Sequence, residues 1–184
     1  DDGYKVIKKL LLSDIAGCDS AANFMEKALN VDLNRLPNEV NQGHIEFSPM
    51  PLGDNQLIYG SFPASDFQYY HVDSIAPKRR FYLAEQVDES WIPLGELPGP
   101  FNSPVHNTGN GALSADESKF YDFVCEKNWK GKMICDLWVA EKAGEKWVNE
   151  KSLGPAVNDG FSNSMPTVGI EIKRNKEIIY FVSD

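Results

Sequence analysis

FYLAEQVDESWIPLGELPGPFN (residues 81–102) returns, 56 residues later and without a gap, as LWVAEKAGEKWVNEKSLGPAVN (137–158). Ala84/Ala140, Glu85/Glu141, Glu89/Glu145, Trp91/Trp147, Leu97/Leu153 and Asn102/Asn158 are identical pairs. Phe81/Leu137, Tyr82/Trp138, Leu83/Val139, Ile92/Val148 and Phe101/Val157 keep their apolar character. A match that holds register through turns as well as apolar runs marks an internal repeat, and repeats of this length signal arrays in which one unit cannot bury its own apolar face.

The repeat extends in both directions. Asn-rich entries begin NQGHIEFSPMPLGDNQLIYGS (41–61), NSPVHNTGNGALSADESKFYDFV (102–124) and NDGFSNSMPTVGIEIKRNKEIIYFVSD (158–184). In each, a turn precedes an apolar run, and Ile58-Tyr59, Phe120-Tyr121 and Ile179-Tyr180 read as its corresponding pairs. RFYLAEQ (80–86) and MICDLWVAEK (133–142) follow as third strands, SWIPLGEL (90–97) and KWVNEKSL (146–153) as fourth strands. Four antiparallel strands per unit is the arithmetic of a propeller blade. The expected fold is therefore all-β, with blades at about 44–97 and 109–153 and the start of a third at about 164–184. Propellers close with about four to eight blades, so 184 residues hold an incomplete one.

Residues 1–40 read differently. YKVIKKLLLSD (4–14) carries the β-branched and leucine content of a strand, although its lysines also permit a helix. Asp19-Ser20 resembles an N-cap to a helix over AANFMEKALN (21–30), continued by VDLNRLPNEV as an insertion ahead of the first full blade. The chain opens Asp1-Asp2-Gly3, without Met or a signal peptide, which reads as a processed product or an excerpt.

The motifs in NSMPTVGIEIKRNKEIIYFVSD and FVCEKNWKGKMICDLWVAEKAGEKW resemble the TolB-like or WD40-like β-propeller repeat of Gram-negative cell-envelope proteins, over about residues 40–184. Ala112-Leu113-Ser114-Ala115-Asp116 keeps the usual small–Asp turn; Met50–Asp54 and Glu171–Asn175 modify it. The resemblance implies an exported protein, periplasmic or outer-membrane-associated, with a scaffold role. Its partner would be another envelope protein or the remainder of its own chain. In that group an OmpA-like, peptidoglycan-binding domain often follows; no such segment is present here, and the family offers no universal catalytic residues to carry across.

Composition narrows the function classes. A net charge of −9 and a sequence pI near 4.8 argue against nucleic acid, and Lys78-Arg79-Arg80 is the only short basic run. No apolar run approaches the ~20 residues of a membrane span. Cys125 and Cys135 fall on two strands joined by a turn at Asn128–Gly131, near the hairpin base, a placement suited to a disulfide in an oxidising compartment. Cys18 is then the odd one out.

Motifs for catalysis are absent: no Gly-x-Ser-x-Gly elbow, no His-Glu-x-x-His and no phosphate loop. No ligand spacing supports a metal, and no cofactor is expected. His44 and His106 occupy related entry loops, where ordinary hydrogen bonding is the simplest role. Asp88-Glu89 and Asp116-Glu117 read as exposed turns, too solvated for a raised pKa. Glu85/Glu141 and Trp91/Trp147 read as structural: the tryptophan packing one blade on the next, the glutamate satisfying one backbone amide in each. The candidate contacts are Trp129, at the hairpin tip, and Phe67, Tyr69 and Tyr70 in the long connection 61–77. The expected function is a non-catalytic interaction scaffold; the alternative is a glycan-binding or accessory propeller of a secreted hydrolase, motivated by those aromatics.

Overall fold

A computed structural model describes residues 2–27, 31–42, 45–62 and 78–184. Two compact units divide the chain, Asp1–Arg35 and Leu36–Asp184. In the first, a single helix α1 spans Asp2–Glu26, which corrects the strand expected at 4–14. Lys, Leu and Ala lose little side-chain freedom in a helix, and Ile7, Leu11, Ile15 and Cys18 recur at helical spacing. Asp19 and Ser20 lie inside this helix rather than capping one. Ser20 Oγ donates to the Ala16 carbonyl and Asn23 Nδ2 to that of Asp19. Beyond it, residues 31–37 carry no helix and a turn occupies 38–40, so the expected continuation is also corrected.

Among its described residues the second unit has strands and no helix. Strands β1 (Ile45–Leu52), β2 (Gln56–Phe62), β3 (Arg80–Val87) and β4 (Ser90–Glu96) form one antiparallel sheet in chain order. A second takes β5 (Asn107–Leu113), β6 (Lys119–Lys127), β7 (Met133–Ala143) and β8 (Lys146–Ser152). Strands β9 (Asn163–Glu171) and β10 (Lys176–Ser183) make a two-stranded third. These are the segments the repeat delimits. The first strand of each sheet carries a bulge, with Ser48, Asn110 and Met165 at positive φ (51°, 29° and 52°). Aligned on those bulges, Leu57-Ile58 corresponds to Phe120-Tyr121 and Ile179-Tyr180, one residue from the sequence register. Tyr59, Asp122 and Phe181 each stand opposite a bulge.

The sheets are joined at equivalent points. Asn102 Oδ1 accepts from Phe81 N (2.8 Å) and its Nδ2 donates to Phe81 O (2.9 Å). Asn158 does the same with Leu137, at 2.9 Å each way. Asn107 Oδ1 accepts from Arg79 N, as Ser162 Oγ does from Cys135 N. β5 accordingly lies beside β1 and β3, and β9 beside β5, β6 and β7.

One core fills the space between the first two sheets: Met50, Leu52, Ile58, Phe81 and Leu97 meet Phe101, Phe120, Ala140 and Trp147. Phe101 and Phe120 pack edge-on at 4.7 Å, a geometry aromatic rings favour. Trp147 sits in this core. Trp91 instead joins Val40, Leu57, Tyr59 and Ala84 on the opposite face of the first sheet, with Leu36 from the segment entering β1. That segment, Leu36–Asn41, repeats Leu97–Asn102 and Leu153–Asn158. Val40 N and Asn41 N donate to the Pro37 carbonyl, as Val157 N and Asn158 N do to that of Gly154.

The repeated glutamates have unlike partners. Glu85 accepts from the Asn55 and Gln56 side chains, Glu141 from those of Asn149 and Lys151. This corrects their reading as backbone-amide acceptors; the asparagines do that work, because a carboxamide both donates and accepts.

Candidate functional site

Strands β6 and β7 pair without a break from Lys119↔Glu141 to Lys127↔Met133. Alternate side chains therefore share a face. On one face stand the pairs Tyr121/Val139, Phe123/Leu137 and Cys125/Cys135. Phe123, Cys135 and Leu137 form an apolar cluster with Leu153 and Val157. The Tyr121 hydroxyl donates to Glu177 Oε1 on β10; burial, followed by that bond, pushes the phenol up to about 12. Cys125 and Cys135 are joined by a disulfide, whereas Cys18 is free and exposed on α1.

The other face changes character along its length. It starts in the core with Phe120/Ala140 and continues as Asp122/Trp138, Val124/Asp136 and Glu126/Ile134. The hairpin turn then presents Trp129, whose exposure of 88% makes it the most open tryptophan. The turn is built around Asn128. Its Oδ1 accepts from the amides of Lys130 and Lys132, and its backbone pairs with Lys132 O and Gly131 N. Gly131 takes φ 77°, which a side chain would resist. Lys132 Nζ is tied to Asp184 at 3.0 Å. Lys130 Nζ lies 4.7 Å from the Trp129 ring centroid, within cation–π range.

A groove of about 440 Å³ runs along this face, lined by Val124, Glu126, Lys127, Trp129, Ile134, Asp136 and Trp138, together with Asn128 and Gly160. Burial raises the Asp136 carboxyl, and the Glu126 charge adds to the effect. His106 Nε2 lies 3.3 Å from Glu126 Oε1, an ion pair when the imidazole is protonated.

Asp122 lies further along the same strand face, outside the groove's lining. It is fully buried, and neither carboxylate oxygen has a hydrogen-bond partner among the described residues. Burial, with the Glu150 charge second, pushes it up to about 8. Glu150 is itself raised by burial, and its Oε1 is unpartnered. Sequence reading looked for carboxylates in turns and passed over this one. The signal was available: Asp122 is the lone acid between Phe120-Tyr121 and Phe123-Val124.

Of the other contact candidates, Phe67, Tyr69 and Tyr70 lie outside the described residues, as does His44. Asp116 departs from a plain solvated turn acid: the Ser114 hydroxyl, then those of Ser118 and its amide, hold it down at about 2. Among the described residues no cluster of His, Cys, Asp and Glu suits a metal ion, and no helix is long and apolar enough to cross a membrane. Comparison with protein-family models, curated proteins and solved structures found no match to the chain.

Proposed function

We propose that the three sheets are successive blades of a propeller-type array of the TolB-like or WD40-like kind, and that the chain is a non-catalytic interaction module of an exported, envelope-associated protein. The hairpin carries this reading: a disulfide-clamped, Asn128-braced turn holds Trp129 out in solvent above an aromatic and acidic groove. An exposed tryptophan on a rigid support loses little entropy when it docks, and tryptophan is enriched where binding energy concentrates. The blade reading draws support from equivalent ties: Asn102 and Asn158 bind each linker to the sheet it leaves, and Asn107 and Ser162 link consecutive sheets. The disulfide suits the periplasm or the outer-membrane surface, where thiols are oxidised.

A photo-crosslinking residue at position 129, compared with one at Glu145 on the β7–β8 turn, tests the reading in envelope fractions. The partner captured at 129 should rebind the purified protein, and Trp129→Ala should weaken that affinity by about tenfold or more. Unchanged affinity would sink the proposal.

The groove also favours a second reading, glycan binding. Trp129 and Trp138 offer faces for sugar stacking, and Glu126 and Asp136 can accept hydroxyl bonds. A glycan array probed with the parent protein and Trp138→Ala separates the two readings.

A further inference from the structure

The groove on the β6–β7 face bears a set of groups that calls for a positive charge. Glu126 and Asp136 project into it from neighbouring strands, one cross-strand pair apart. His106 Nε2 lies 3.3 Å from Glu126 and offsets its charge only when the imidazole is protonated; Asp136 has no ion-pair partner among the described residues. At the outer end the Trp129 ring already holds the Lys130 ammonium at 4.7 Å, so the ring serves as a cation acceptor within this molecule. The chain as a whole carries −9. Lys127 lines the groove together with Trp138 and Asp136.

We infer that this groove receives an arginine side chain from a basic segment of the protein partner, the guanidinium stacking on tryptophan while Asp136 accepts its N–H groups. Arginine fits better than lysine because its planar fork can stack and form paired hydrogen bonds to a carboxylate at once. The inference rests on the hairpin reading of the proposed function and adds the chemistry of what binds there.

The probe is a fluorescein-labelled Gly-Arg-Gly-Arg-Gly peptide, titrated by anisotropy, with its citrulline counterpart as the uncharged isostere. The parent protein should bind the arginine peptide at least about tenfold more tightly than the citrulline one. Asp136→Asn should remove most of that difference, with circular dichroism reporting an intact sheet. A control, Glu89→Gln plus Glu145→Gln, removes two exposed turn charges and should change affinity by less than about twofold. Equal weakening by the control would reduce the effect to general charge attraction and overturn the inference. So would oligosaccharide binding that survives Asp136→Asn. A partner that needs Trp129 but is indifferent to Asp136→Asn would leave the proposed function standing and remove this inference alone.

Discussion

Asn158 grips Leu137 from both sides: its Oδ1 accepts from the Leu137 amide and its Nδ2 donates to the Leu137 carbonyl, each at 2.9 Å. The carboxamide thereby acts as one more peptide unit, added where the linker leaving β8 passes β7. Asn102 repeats the arrangement on Phe81. The two carbonyls have a second donor, Leu153 N and Leu97 N respectively; the amides are held by the asparagines.

Replacing either asparagine by alanine should therefore strand a partly buried amide and cost about 1–3 kcal/mol. Because the sites are equivalent, the two losses should agree within about 1 kcal/mol. Urea unfolding of Asn102→Ala and Asn158→Ala measures both. A large loss at one site and none at the other would show that the likeness is only geometric.

The repeated tryptophans should differ in effect. Trp147 is buried against Phe101 and Phe120 in the core between the first two sheets, so Trp147→Ala should cost about 3–5 kcal/mol. Trp91 is half-exposed at the margin of a smaller cluster, and its alanine variant should lose about 1–2 kcal/mol. Thermal unfolding of the pair decides the order.

Asp122 predicts an unusual pH dependence. Its folded-state pKa, about 8, lies above the ordinary 3.8, so between those values the folded protein holds a proton that the unfolded chain releases. Stability from this group is full below about pH 4 and is lost as pH rises toward 8. Asp122→Asn mimics the protonated form. It should flatten this slope and raise stability at pH 8 by more than about 1 kcal/mol, with Glu150, also raised by burial, supplying the remaining slope. Unfolding free energies at pH 5 and pH 8 for parent and variant provide the check; a parent that gains stability over that interval would refute the assignment.

The Cys125–Cys135 bridge closes a loop of sequence separation 10. Cys125→Ser plus Cys135→Ser should destabilise the hairpin by about 2–3 kcal/mol on the loop-entropy account. Non-reducing peptide mapping should recover the two cysteine peptides as one species. With the bridge gone, the Trp129 turn should show faster amide exchange than the β7–β8 turn.

The strand segments were legible in the sequence because a β repeat writes its period twice: alternation along each strand, and identical residues at a spacing of 56. Both four-stranded sheets, the β9–β10 pair and the cysteine pairing followed from that local pattern, since neighbouring strands joined by short turns have few alternatives. The helix over residues 2–26 is less legible, because Val, Ile and Leu suit either structure; the i, i+4 spacing of Ile7, Leu11 and Ile15 is the feature that marks the helix.

What the tertiary structure alone decided concerns contacts between sheets. Asn102 and Asn158 are identical letters in the repeat, yet only the approach of linker to strand makes them backbone mimics. Trp91 and Trp147 are equally identical, and their environments differ because the second sheet has the first to pack against. Asp122 is an ordinary acid in the sequence. Its protonation and its place beside Trp138 arise from burial by residues distant along the chain, and desolvation is a property of the packed volume that no local pattern encodes.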